Sequence, residues 1–247
     1  MKRIFLMAAM MTAVSIQSFA QPSFGLQVGG NLASTRLETE SGSGNSTTKV
    51  NTDPRFGFLA GIVTEIPFGP VSFRPEVNYV QKGFKYNDEG SFFGATTTTD
   101  NKALLSYIEI PLNVTFNVPA VGSHLFFGLG PTVAWGIGGK YEARSTLGGL
   151  SGENQADIKF DGDDDANDDD IHLKSFEFSG NILAGYKMDN GFTINVGYTL
   201  GFSDILPGND NSSWKNSGLT LKVGYMFGGP KAGGGTTTTS GSSGGTF

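Results

Sequence analysis

Beyond residue 20 the chain alternates apolar and polar residues with a period of two, and it does so in eight separate segments: FGLQVGGNL, RFGFLAGIVTEI, VSFRPEVNYV, YIEIPLNVTFNV, HLFFGLGPTVAWGI, FEFSGNILAGYKM, FTINVGYTLGF and LTLKVGYMF. A period of two puts alternate side chains on opposite faces of a strand. One face collects Phe24, Leu26, Val28 and Leu32, then Phe56, Phe58 and Ile62. It continues through Ile108, Ile110, Leu112, Val114 and Phe116, and ends with Leu219, Leu221, Val223, Tyr225 and Phe227. No stretch in this region has a convincing helical period, so the chain reads as all-β.

The opposite face decides what kind of β protein this is. It carries Asn78, Asn113, Thr115, Asn181, Asn195, Thr199 and Thr220, with a few charges at Glu65, Arg74, Glu76, Glu109, Glu177 and Lys222. A soluble sandwich turns a Lys- and Glu-rich face to water. Here the polar face is small and mostly uncharged, and charged residues are only 16% of the chain against roughly 25% in ordinary soluble domains. That pattern fits a barrel with lipid outside and polar groups inside.

The connections agree. PFGP, PAVG and DNG are short, whereas the segments around residues 37–54, 87–101, 139–172 and 204–216 are long and polar. Short and long alternate strictly, as periplasmic turns and outer loops do in a membrane barrel. After residue 20 no apolar run reaches the 18 or so residues of a spanning helix, so crossing must be by strands. Closure of those strands then leaves no unpaired edge in lipid. The expected fold is an eight-stranded antiparallel transmembrane β-barrel.

The two ends of the chain stand apart from it. Lys2 and Arg3 precede an apolar run from Ile4 to Ile16, and small residues at Ser18 and Ala20 precede Gln21. This is the pattern of a signal peptide over residues 1–20, cleaved between Ala20 and Gln21. The barrel is expected over residues 21–228. Residues 229–247, rich in Gly, Ser and Thr, have no apolar period and are expected to be a disordered tail. Losing the leader makes a chain of net charge −6 more acidic still, which argues against nucleic acid as a partner. Cysteine is absent, so disulfides, thiol chemistry and Cys-bound zinc are excluded.

Four stretches, RPEVNYVQKGFKY, YIEIPLNV, FFGLGPTVAWGIGGK and SGLTLKVGYMF, resemble the PorT-type outer-membrane β-barrel family of small porin-like barrels, common in Gram-negative bacteria of the Bacteroidetes type. The resemblance runs over about residues 22–228. It implies eight strands and an outer-membrane location. It implies no single activity, although some relatives serve protein secretion. The chain departs from the pattern in continuing past Phe227 and in having a long, acidic third outer loop.

Candidate sites follow from this placement. Charges inside an eight-stranded barrel meet little water and need partners. We expect Arg74 to bridge Glu65 and Glu109, with Glu76, Glu177 and Lys222 completing a lumen network. The barrel is just wide enough for side chains to fill it, so a structural lumen is expected over a narrow solute or ion conduit. Pro75 and Pro111, inside strands, should produce bulges or bends. Tyr79, Tyr86, Trp135, Tyr141 and Trp214 should mark the outer aromatic rim, and Phe24, Phe68, Phe192, Tyr225 and Phe227 the periplasmic one. Phe227 closes a last strand of the kind read by barrel-insertion machinery.

The run DGDDDANDDD, followed by His172, has Asp161, Asp163 and Asp165 at the one-three-five spacing of a calcium loop. Ala166 stands where that loop needs Gly, and His172 where it needs Glu. Such a run also reads as a hydrated, self-repelling loop, or as one that meets lipopolysaccharide phosphates through divalent cations. His172 beside Asp168–Asp170 admits an outer-rim hydrolase, but His124 falls at the opposite rim. No Ser-His-Asp order, phosphate loop or zinc spacing is present. No enzyme activity and no cofactor are expected. The expected role is structural or by interaction in the cell envelope, with outer-membrane lipid and lipopolysaccharide as surroundings and an envelope protein as possible partner.

Overall fold

The computed structural model describes residues 21–40, 47–50, 52–92, 95–163, 169–208 and 212–228. Its strands are β1 (Ser23–Glu40), β2 (Thr47–Val50), β3 (Asp53–Phe68), β4 (Val71–Phe92), β5 (Ala95–Ala120), β6 (Ser123–Leu147), β7 (Leu150–Lys159), β8 (Ile171–His172), β9 (Phe176–Met188), β10 (Phe192–Gly201) and β11 (Ser213–Phe227). Eight of them are staves. Each stave pairs antiparallel with its neighbours in the order β1, β3, β4, β5, β6, β9, β10, β11, and β11 returns to β1 through fifteen paired positions from Phe24↔Phe227 to Glu38↔Ser213. The sheet is a closed eight-stranded barrel.

Inside and outside follow the alternation. Phe56, Leu129 and Ile182 stand outward with 70%, 66% and 60% of their surface uncovered by protein, in a belt continued by Phe24, Phe127, Val196 and Leu221. A belt of that size is stable only against lipid. The facing-in set includes Arg74, Glu76, Asn113, Thr132, Ser179 and Lys222, all buried.

The two rims differ. At the turn end the staves join through the two-residue turns Gly69–Pro70 and Val121–Gly122 and the three-residue turn Asp189–Gly191. Gly69 and Gly122 have φ near +70°, which favours glycine. At the loop end the structure departs from expectation. The segment around 87–101 is not an open loop, because β4 and β5 stay paired out to Phe92↔Ala95. Likewise β6 runs to Leu147 and returns as β7, paired from Leu147↔Leu150 to Gly139↔Ile158. Thr, Asn and Gly stretches read as loop, but a strand continued from the barrel extends its ladder at little further entropic cost.

The prolines produce no bulge. The β4–β5 register is unbroken on either side of Pro75, and the β5–β6 register on either side of Pro111. Register shifts occur instead between Pro54 and Leu59 and between Ser106 and Tyr107. A missing donor removes a rung of the ladder without adding the extra residue that makes a bulge.

Candidate functional site

The lumen holds two charged clusters. At its turn-end side, Glu65 on β3 and Arg74 on β4 face each other across the Gly69 turn, with Nη1 3.3 Å from Oε2. Lys187 of β9 reaches the same carboxylate at 3.0 Å. Arg74 Nε lies 3.5 Å from Glu76, whose other oxygen takes Lys222 of β11 at 2.6 Å. Gln27 and Asn78 donate to that oxygen as well, and the Phe126 ring covers the guanidinium at 4.9 Å. Positive and negative groups alternate along this chain, so each buried charge has an opposite neighbour.

The second cluster centres on Lys82 of β4, which the sequence reading had not placed in the lumen. Its ammonium lies 2.6 Å from Glu109 of β5 and 2.7 Å from Glu177 of β9, 4.8 Å from the centre of the Tyr107 ring. Asn216 donates to Glu177 at 2.7 Å and accepts from the Trp214 indole at 3.0 Å. Arg74 therefore bridges Glu65 and Glu76, not Glu109. Asn78, not Arg74, is the register partner of Glu109, and Arg74 is opposite Asn113. The signal for Lys82 was present: the inward set Ser72, Arg74, Glu76, Asn78, Val80, Lys82 and Phe84 keeps one parity, but the strand runs beyond Val80, where its apolar alternation fades.

The four cations Arg74, Lys82, Lys187 and Lys222 match the four carboxylates Glu65, Glu76, Glu109 and Glu177 in number.

Above the Lys82 cluster the mouth is closed by apolar side chains. Phe84, Ala103, Leu105, Tyr107, Ala134, Ile158, Leu173, Ile205 and Trp214 form one buried cluster. Trp214 thus points into the lumen and is not part of the outer aromatic rim, whereas Trp135 does face outward, its ring 5.1 Å from that of Phe176. The closing segments are held by backbone bonds: Leu173 donates to Lys159, Lys174 to Ile205, Ile205 to Trp214 and Gly136 to Ser175. At the turn end the lumen opens instead into a cavity of about 490 Å³ lined by Glu65, Ser72, His124, Lys187 and Asp189 among others.

The acidic segment lies outside this mouth. Asp161 accepts from His172 at 2.8 Å and from the backbone of Asp163 at 3.2 Å; the His172 bond holds its carboxyl below the usual aspartate range. Lys159 meets Asp170 at 2.6 Å. Asp165 lies outside the described residues, and among those described no group of three or more His, Cys, Asp or Glu is arranged to hold a metal. His124, 3.8 Å from Asp189, is at the other rim, so the two histidines share no site. Ala20 is likewise outside the described residues; Gln21 lines the turn-end cavity.

Among solved structures the chain is similar to Neisserial surface protein A, at 13% identity over 84% of this chain and 99% of that one, with a TM-score of 0.39. It is also similar to Ail of Yersinia pestis (14%, 84% and 99%, 0.33) and to the outer membrane protein AlkL (11%, 85% and 92%, 0.37). No curated protein matches it in sequence. Residues 19–206 match the model of the outer membrane protein beta-barrel domain, and with its staves closed and its apolar belt turned outward the chain belongs to that family of outer-membrane barrels.

Proposed function

We propose that this is a non-enzymatic outer-membrane barrel that works structurally or by interaction in the envelope of a Gram-negative bacterium, of the PorT type, and that it does not pass solutes. The observation that carries this reading is the filled lumen: two ion-paired layers lie beneath an apolar mouth tied down by backbone hydrogen bonds. A hydrated solute crossing there would have to displace Lys82 from two carboxylates and part the Trp214–Leu105–Tyr107 packing. The wide separation of His124 and His172 supports the absence of a hydrolytic centre. In this reading the leader is removed between Ala20 and Gln21, and the strand ending at Phe227 is what the barrel-insertion machinery engages.

Planar-bilayer recording of the folded protein tests the proposal. No stable conductance steps are expected; large, persistent steps would overturn it. Capture of an envelope protein from native outer membranes, with heat-modifiable gel mobility as the check of folding, tests the interaction role. The narrow-conduit reading draws on the turn-end cavity alone, and the same recording decides it.

A further inference from the structure

The lipid-facing side of the β1–β11 seam is layered. Phe24↔Phe227, Leu26↔Tyr225, Val28↔Val223 and Leu32↔Leu219 present apolar side chains to the bilayer. The next outward pair is Ser34↔Ser217, whose hydroxyls lie 3.1 Å apart. Directly above it stands Arg36↔Lys215, two cations opposite each other across one antiparallel ladder. Arg36 is four residues beyond Leu32, about 13 Å along the strand at 3.3 Å per residue. At a tilt near 40° that is about 10 Å above the edge of the apolar belt, in the headgroup layer.

Like charges directly opposite one another destabilise a sheet. One other pair of cations is opposed on the loop-end face, Lys85 and Lys102, but Asp53 is the register partner of Lys85 on its other side and Glu142 that of Lys102, while Arg144 bonds Glu153 at 2.9 Å. Among the described residues no ion pair engages Arg36 or Lys215. The next carboxylate up the seam, Glu38, is opposite Ser213, and Asp204 accepts from the backbone of Leu206 and Trp214. The seam therefore carries a dication that no described residue neutralises, with a pair of mutually bonded hydroxyls just below it and an apolar wall below those. A phosphate with acyl chains attached matches all three layers: oxygens on Arg36 and Lys215, sugar or ester groups on the two serines, chains on Leu32, Leu219 and Leu221.

We propose that the loop-end rim of the β1–β11 seam binds the phosphate of an outer-leaflet glycolipid, with Arg36 and Lys215 as its ligands. This does not depend on whether the lumen conducts. The test is native mass spectrometry of the folded barrel in neutral-detergent micelles. The probes are hexa-acylated diphosphoryl lipid A and the same lipid without phosphates. Wild type is expected to retain the phosphorylated lipid at least fivefold over the dephosphorylated one. R36Q/K215Q loses that excess, and K215R keeps it. Arg36→Glu makes an opposite-charge pair, so it folds at least as well in lipid-free detergent yet loses the excess, which separates binding from folding. An unchanged excess in R36Q/K215Q or in Arg36→Glu, or equal retention of both lipids by wild type, overturns the proposal.

Discussion

Removing the Lys82 ammonium is the sharpest test of how the lumen is held. Lys82→Met keeps most of the stem volume and leaves Glu109 and Glu177, with 7% and 0% of their side-chain surface exposed, facing each other without their cation. Breaking a buried ion pair from one side costs about 3–5 kcal/mol, and the lost contact with the Tyr107 ring adds roughly 0.5–2 kcal/mol. A destabilisation near 4 kcal/mol shifts the thermal midpoint of a chain this size by roughly 10 °C. The shift is read from loss of heat-modifiable mobility and from the fluorescence of Trp214, whose indole bonds the Asn216 that bonds Glu177. The triple variant K82M/E109Q/E177Q removes all three charges and should return to within about 1 kcal/mol of wild type, since a neutral, well-packed replacement of a buried ion cluster is often harmless. If Lys82→Met alone stays within about 1 kcal/mol of wild type, the cluster is hydrated and the argument for a sealed lumen fails.

Other substitutions probe the remaining layers. Trp214→Ala should cost about 3–5 kcal/mol in a urea titration by loss of a buried indole, yet give no bilayer conductance, because the Lys82 layer lies beneath; conductance in this variant would mean the lid alone seals the lumen. At Gly29 a side chain would overlap the Leu221 carbonyl, so Gly29→Ala should strip the heat-resistant folded band from gels, whereas Gly90→Ala, in open space, should leave it intact. Arg144→Gln removes an exposed pair and should leave the thermal midpoint unmoved. For Asp161 the bond from His172 lowers the carboxyl pKa, so its contribution is present above the ordinary aspartate value of about 3.9 and is lost as pH falls through the lower folded value. Carboxyl NMR should show that midpoint rise in His172→Gln, and no rise would mean the bond does not form in solution.

How much of this was written in the chain can be judged residue by residue. Leu26, Phe127, Ile182 and Leu221 face outward, and Glu65, Asn113, Glu177 and Lys222 inward, as period two requires. PFGP, PAVG and DNG turn where they read as turns. The pairing of Glu65 with Arg74 is local, two strands joined by one tight turn, and was legible for that reason. The pairing of Lys82 with Glu177 spans 95 positions of chain and was not. Trp214 has the composition of a rim residue, but its parity on β11 aims it inward. The acidic run looked like a site, and in the fold it lies outside the mouth, with Asp161 bonded to His172.

The sequence by itself determined the class of fold, because alternation, short turns and the lack of a spanning helix are local properties that the backbone turns directly into strands with two unlike faces. It also determined which side chains enter the lumen, since parity along a strand admits no exception without a bulge. Only the tertiary structure decided which of those side chains meet. Barrel closure and the stagger of β4 against β9 set the distance from Lys82 to its carboxylates. The inward folding of residues 169–175 and 202–208 over Trp214 sealed the mouth, and closure of β11 onto β1 set Arg36 opposite Lys215. Those contacts depend on the angle and register of strands far apart in sequence, which no local pattern encodes.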